Sequence, residues 1–379
     1  MHDDDVRVPD PCDGPRLEQE PPARRRRAGA RDQLDGDLAL EQRVVRARPI
    51  SLFVDRGTGE ITDLETFEND FVEGDVKLAA HYAGWQAAGG GVAFPSDVVL
   101  TLNGQVWHTE HRDSVATAVA LDDAQFAFPA GVSPSFVAAD AARGARDSEF
   151  HEAFAGLGVP LDGLQTTIDA QQLAPGVWHL RGGTHNSLAI EQAAGVVIVE
   201  APLYEARAQA IYAWVAANIP GKPITHVIAT HHHRDHAGGL RTFVARGAKV
   251  VVGESVRRFF GSAFRAPHTI EPDELSTAPR HATILSVPAD GELTLADATR
   301  PVRVLALDSS HAADMVVAYT PNQRVLFVSD LFSPGLPPNP AEAGEVRDAV
   351  QAHDLAIDAI AGGHGGVGTR ADLDAAAGF

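Results

Sequence analysis

Short runs in which apolar and polar side chains alternate recur over residues 49–130, among them Ile50-Ser51-Leu52-Phe53-Val54 and Val98-Val99-Leu100-Thr101-Leu102. Glycine and aspartate turn signals such as Arg56-Gly57-Thr58-Gly59 separate them, which predicts a small antiparallel β-rich domain. Residues 131–175 hold Gly- and Ala-rich, helix-like stretches and read as a connector. From residue 176 to 379 the period changes. Apolar strands at 196–199, 226–229 and 249–252 alternate with a helical pattern over 204–218 and another after Ala237. Such alternation predicts sheet and helix in layers. Further apolar strands are expected at 302–307, 315–320 and 324–329, followed by a helix over 345–360. No repeat of fixed short period runs through the chain.

Residues 1–48 break this pattern. They mix acidic runs, proline pairs and the Arg24–Arg27 cluster with few aromatics, so too little apolar surface is available to offset ordering entropy, and a disordered leader is expected. The whole chain has 379 residues, 44% of them hydrophobic, with 31 Lys and Arg against 51 Asp and Glu and a net charge of −20. That balance excludes nucleic acid as the expected partner, because a duplex-binding surface needs a basic face. No apolar stretch approaches the ~18 residues of a membrane span, and the first ten residues lack the apolar core of a signal peptide. The chain as written therefore reads as soluble and cytoplasmic; a true start further upstream, carrying an export signal, would make it periplasmic or secreted. Cys12 is the single cysteine, which removes internal disulfides and cysteine-based zinc or iron–sulfur sites from consideration. Any metal has to be held by His and carboxylate.

The densest chemical feature is Thr230-His231-His232-His233-Arg234-Asp235-His236-Ala237-Gly238-Gly239-Leu240, between a predicted strand and a predicted helix. In an extended loop, His231 and His233 share a face because alternate side chains point the same way, and Asp235 and His236 follow at the turn. Imidazole and carboxylate are the ligands that zinc, iron(II) and manganese accept, so the quartet predicts a metal site. His232 is left out, since a histidine in such a loop need not be a ligand. Downstream, His311 follows the strand at 302–307, Asp330 ends the strand at 324–329, and His364 sits in Gly362-Gly363-His364-Gly365-Gly366, where glycines let the backbone approach a site closely. His268 and His281 lie in the intervening segment and are read as structural.

The His-x-His-x-Asp-His run followed by Ala-Gly-Gly-Leu, with His311, Asp330 and His364 in that order, resembles the signature of the metallo-β-lactamase superfamily. The segments Gly176-Val177-Trp178-His179-Leu180 and Gly195-Val196-Val197-Ile198-Val199-Glu200 are similar to that family's opening strands, with Glu200 where an Asp is often found. The resemblance covers residues 176–379 and implies an α+β fold, a four-layer αββα sandwich, preceded here by the small antiparallel β domain. It implies that His231, His233 and His311 hold one metal, that Asp235, His236 and His364 hold another, and that Asp330 bridges them. Glu200 would support the metal loop without binding metal. Residues 49–129 also resemble the end of a lipoprotein-carrier-like β unit, through Asp55-Arg56-Gly57-Thr58-Gly59, Gly74-Asp75 and Phe126-Ala127-Phe128-Pro129.

Two divalent ions about 3.5–4 Å apart share a water, lower its pKa toward neutrality and polarise the bond it attacks. The expectation is a metal-dependent hydrolase holding two divalent ions, zinc in the first instance with iron or manganese as alternatives, and Asp235 as the catalytic carboxylate that orients the water. A carboxylate at Asp330 points away from dedicated β-lactamases, leaving β-lactam hydrolysis as a side activity, and toward small-molecule esters, thioesters and lactones. The competing expectation is a single-iron dioxygenase of the same fold, similar to persulfide dioxygenases. A protein that merely sequesters metal is the third class. Substrate-binding residues, oligomeric state and metal identity are left open by the residues. Removal of residues 1–48 is expected to leave the melting temperature and activity unchanged, because no core contacts are expected of the leader; a large fall in melting temperature would show that it belongs to the fold.

Overall fold

A computed structural model describes residues 50–117, 119–127 and 166–378. The leader expected at 1–48 and residues 131–165 of the expected connector lie outside the described residues. The described residues form two compact units, one holding those up to Phe67 together with those of Lys77–Ala127, the other holding Glu68–Val76 together with residues 166–378.

The first unit is built on a five-stranded sheet in sequential order, β1 (Ser51–Val54), β2 (Ile61–Asp70), β3 (Gly74–Gly89), β4 (Val92–Leu102) and β5 (Gln105–His111). Its pairings β1–β2, β3–β4 and β4–β5 are antiparallel. Asp55 makes the β1–β2 turn by accepting from the backbone N–H groups of Gly57 and Thr58 at 2.8 and 2.9 Å, the local bonding that makes Asp a turn residue.

The second unit contains two sheets. One has seven strands, β6 (Asp169–Ala174), β7 (Val177–Gly182), β8 (His185–Glu191), β9 (Val196–Val199), β10 (Ile224–Ile228), β11 (Lys249–Gly253) and β12 (Ile284–Val287), in the reverse of chain order across the sheet. Helix α1 (Glu205–Asn218) joins β9 to β10, and α2 (Arg234–Ala237) with α3 (Leu240–Ala245) join β10 to β11, so β9, β10, β11 and β12 run parallel. Helices α4 (Arg257–Ala263) and α5 (Glu274–Thr277) precede β12. The other sheet has six strands in chain order, β13 (Glu292–Leu295), β14 (Val302–Ala306), β15 (Val316–Thr320), β16 (Val325–Phe327), β17 (Ala359–Ala361) and β18 (Val367–Gly368). Helices α6 (Pro340–Ala352) and α7 (Arg370–Ala376) complete the unit.

The core explains the layering. Along β9, Val196 and Ile198 pack toward α1 and α3, whereas Val197 and Val199 face the second sheet. β15 divides in the same way: Val316 and Ala318 face the first sheet, and Val317 and Tyr319 pack with α6 and α7. Strands apolar on both faces need a layer on each side, which yields helices, sheet, sheet and helices. Where the sequence pattern predicts a helix over 345–360, the structure has α6 over Pro340–Ala352 and places Ile360 in β17. Asn339 caps the helix start by accepting from Ala341 N–H, with Pro340 in the first turn, and Asp354 adopts a left-handed φ of 48° just past its end. Both are recognised helix boundaries. No helix among the described residues is long and apolar enough to cross a membrane.

Ile211 on α1 is fully buried against the first sheet. Ile211→Ala is expected to lower unfolding stability by about 2–5 kcal/mol while leaving metal uptake unchanged, measured by denaturant unfolding and by metal content of the folded protein.

Candidate metal centre

The topology brings one end of each sheet to a common edge. Glu200 follows β9, the segment from His231 to His236 follows β10, and His185 opens β8, which runs antiparallel to β9. In the second sheet His311 follows β14, Asp330 follows β16 and His364 follows β17. β14 and β16 are each antiparallel to β15, and β17 is parallel to β16, so these three loops leave on the same side. The edges are tied together where Val316 N–H donates to Thr230 O at 2.8 Å.

The loop after β10 turns directly into the single-turn helix α2. Leu203 N–H donates to Asp235 O, and Gly239 N–H donates to Ala201 O, each at 2.8 Å, so the loop is stitched to the chain leaving β9. Gly238 is required by that approach: a Cβ there would lie 1.8 Å from Leu203 O. The Arg234 side chain turns to the segment Glu68–Val76, where Nη2 donates to Glu73 Oε1 at 2.5 Å and Nε donates to the fully buried Asp70. Asp70 and Glu73 were not legible as supports of this loop, since a lone carboxylate 160 residues upstream carries no local signal. His232 Nδ1–H donates to Asp314 Oδ1 at 2.7 Å, in keeping with its exclusion from the ligand set.

Besides a third group of Glu200, His231 and His236, two groups of ligand atoms result, each within 4.8 Å of one another: His231, His233, His311 and Asp330 in one, and His185, Asp235, His236 and His364 in the other. Asp330 lies between them. Its Oδ2 is 3.0 Å from His311 Nε2 and 3.6 Å from His231 Nε2, while Oδ1 is 2.9 Å from His236 Nε2 and 3.2 Å from His364 Nε2. All seven residues expected as ligands are thus brought together. His185 is an eighth that the motif did not supply. His268 is buried elsewhere and His281 is exposed; neither joins a group. Tyr319 Oη donates to Ala356 O at 2.6 Å and serves packing.

The ring orientations follow from what each Nδ1 touches. His236 Nδ1–H donates to Glu200 Oε2 at 3.0 Å, His364 Nδ1–H donates to Thr184 O at 2.8 Å, and His231 Nδ1–H donates to Thr230 Oγ1 at 3.0 Å. Thr230 in turn donates to Glu200 Oε1 at 2.7 Å. Each bond fixes the tautomer and leaves Nε2 aimed inward. His231 Nε2, His236 Nε2, His311 Nε2 and Asp330 Oδ1 are buried with no partner in hydrogen-bonding geometry among the described residues. Orphaned buried polar atoms are costly, and four converging on one cavity fit a bound cation.

Electrostatics point the same way. Burial pushes His231 well below its ordinary value and His233 down to about 4, keeping both imidazoles neutral. Burial acts likewise on His236, but the charges of Glu200, Asp330 and Asp235 outweigh it and raise its pKa well above the usual range. Burial would raise Asp330 and Asp235, yet the charge of His236, with other imidazoles crowded around the carboxyls, holds both well below the usual range. The carboxylates thus demand positive charge, which divalent ions would supply in place of protons. His231, His236 and His185 form the buried floor, whereas His311 and His364 are 20% and 27% exposed and mark the open side.

The metallo-beta-lactamase superfamily model matches residues 180–364. Similar solved structures include a metallo-beta-lactamase from Pontibacter korlensis, 18% identical, with 56% of this chain and 97% of that chain covered at a TM-score of 0.43. Another is a metallo beta lactamase from Hirschia baltica, 21% identical over 55% of this chain and 96% of that chain, also at a TM-score of 0.43.

Glu200 fixes both His236 and Thr230 from a fully buried position. Glu200→Gln keeps the shape but removes the charge, and is expected to weaken metal binding by about 10–100-fold, measured by competition with a chromogenic chelator; wild-type affinity would remove Glu200 from the support of the site.

Proposed function

We propose, for a chain whose residues 180–364 form a domain of the metallo-beta-lactamase superfamily, that it is a hydrolase using two divalent ions, zinc first among them, on small esters, thioesters or lactones. The observation that carries this reading is the convergence of inward Nε2 atoms on a carboxylate shared between two ligand groups. His231, His233 and His311 would hold one ion, Asp235, His236 and His364 the other, and Asp330 would offer one oxygen to each. A metal pair bound there supplies an activated water and polarises the carbonyl under attack.

The chain's own residues do the rest. Asp235, held well below the usual carboxylate range although burial opposes it, is a poor proton store and a good acceptor. Its role is to orient the attacking water through a hydrogen bond. The water oxygen bonds to the carbonyl carbon, the bond to the leaving oxygen or sulfur breaks, and the water's proton leaves with that group. The exposed edges of His311 and His364 set the direction of approach, so the substrate's carbonyl enters from that side. Ser333-Pro334-Gly335-Leu336-Pro337-Pro338 follows Asp330, and Gly366 N–H donates to Pro334 O at 2.8 Å, which places this apolar stretch beside the His364 loop as a rim for the acyl or leaving group. Phosphodiester polymers fit poorly with a net charge of −20.

Protein purified without added metal or chelator is expected to contain about two zinc per chain and to turn over members of an ester, thioester and lactone panel. His233→Ala is expected to lower that turnover by roughly 10²-fold or more, beyond the effect of losing a supporting residue. Full turnover in that variant would rule the site out. About one iron per chain, with oxygen consumed, would replace the hydrolase by the single-iron dioxygenase.

A further inference from the structure

We infer that His185 is a ligand of the ion held by Asp235, His236 and His364, so that this site carries one more protein ligand than the histidine–aspartate motif supplies. The inference deepens the two-metal reading and rests on it. His185 Nε2 lies 3.1 Å from Asp235 Oδ2 and belongs with Asp235, His236 and His364 to a group whose ligand atoms fall within 4.8 Å of one another. Ligand atoms about 2.0–2.1 Å from a common zinc stand roughly 3.4 Å apart in a tetrahedron, so a separation of this size is an edge of a coordination polyhedron. The His185 ring is packed edge-on to both neighbours, its centroid 4.3 Å from that of His364 and 5.1 Å from that of His236.

Its orientation is set as for the other inward rings. His185 Nδ1 lies 2.8 Å from Thr184 Oγ1, and the carbonyl of the same Thr184 accepts from His364 Nδ1 at 2.8 Å. One residue therefore fixes two imidazoles with Nε2 facing the same point. The backbone makes the pair a unit: Asn186 N–H donates to Gly363 O at 2.7 Å, and Asn186 Nδ2 donates to Gly362 O and Gly365 O at 3.2 and 3.1 Å. His179, one strand away and just as buried, gives the contrast. It spends Nε2 on Gly362 O at 3.1 Å and belongs to no ligand group.

An extra ligand makes the two ions unequal. The site of His185, Asp235, His236, His364 and Asp330 would then have five protein ligands, against four for the site of His231, His233, His311 and Asp330, which keeps more coordination room for a reacting group. Substrate would then meet the latter ion.

Cobalt(II) titration of the full chain tests this, because visible absorption gains intensity as coordination number falls. Wild type is expected to take two equivalents. In His185→Gln, which retains a hydrogen-bond donor for Asp235, and in His185→Ala, one equivalent is expected to bind at least 10–100-fold more weakly with a more intense spectrum, while the other is unchanged. Wild-type affinity and spectrum in His185→Gln would overturn the inference and leave His185 as a donor that positions Asp235. A wild-type chain that takes only one equivalent would contradict the two-metal reading instead; the comparison with His185→Gln then still decides the role of His185. Should the variants misfold, a crystal of the zinc-loaded wild type decides: Nε2 about 2.0–2.1 Å from zinc upholds the assignment, and hydrogen-bonding distance to Asp235 without metal contact overturns it.

Discussion

The site is organised around one buried carboxylate. Glu200 follows β9 with a left-handed φ of 65° and no solvent exposure, and its two oxygens reach residues at the ends of two further strands. Oε2 accepts from His236 on the loop after β10; Oε1 accepts from Thr230 at the end of β10 and from Ser329 at the end of β16. Both sheets and the metal loop are therefore bound to a single side chain. A carboxylate this deep is tolerated only where every lone pair is met, and removing any partner would leave a charge unpaired in a low-dielectric interior. The packing around it is correspondingly tight. A Cβ on Gly363 would lie 3.0 Å from Ser329 Cα and 3.2 Å from Glu200 Oε2, which explains a glycine on the loop that presents His364.

The second constraint acts on the loop from outside the sandwich core. Arg234 sits between the candidate ligands His233 and Asp235, and its guanidinium is anchored on Asp70 and Glu73. Asp70 itself closes the turn between β2 and β3, accepting from Val72 N–H at 2.9 Å and Glu73 N–H at 2.8 Å. Val72 is buried in the core of the helices and first sheet, and the Phe71 ring packs 5.9 Å from that of Tyr204. The segment Glu68–Val76 is thus part of the architecture that holds the metal loop, although its neighbours in sequence form the other unit.

How much of this was legible depends on the range of the contacts. The layered α+β fold was readable because β9, β10 and β11 are apolar on both faces, a local property. The helix after Asp330 was misplaced because Leu355, Ile357 and Ile360 continue a helical spacing, while the stop comes from one residue, Asp354, taking a left-handed conformation. The histidine–aspartate run, His311, Asp330 and His364 were readable because four ligand-type residues in one loop single out a chemistry, and the others then fall at strand ends in order. Glu200 was expected as a support of the metal loop, though not its reach to Ser329 on the other sheet; His185 and Asp70 were not legible. Each is a lone polar residue at a strand end, indistinguishable in sequence from a cap or turn residue, and its partner lies tens to more than a hundred residues away.

Charge links the site to the class of substrate. Asp235, Asp330 and Glu200 bring three negative charges to one cavity, and under the two-metal reading two divalent ions leave it with a single positive charge. Such a cavity favours an oxygen that becomes negative during attack more than the neutral carbonyl it came from, which is the differential stabilisation that catalysis requires. The chain as a whole has the opposite sign, a net charge of −20, so under the same reading a polyanion would be disfavoured relative to a neutral ester or lactone. Under that reading, discrimination against nucleic acid and a preference for a small carbonyl compound would follow from the same distribution: acidic residues in excess over the chain, and carboxylates that bound metal would neutralise within.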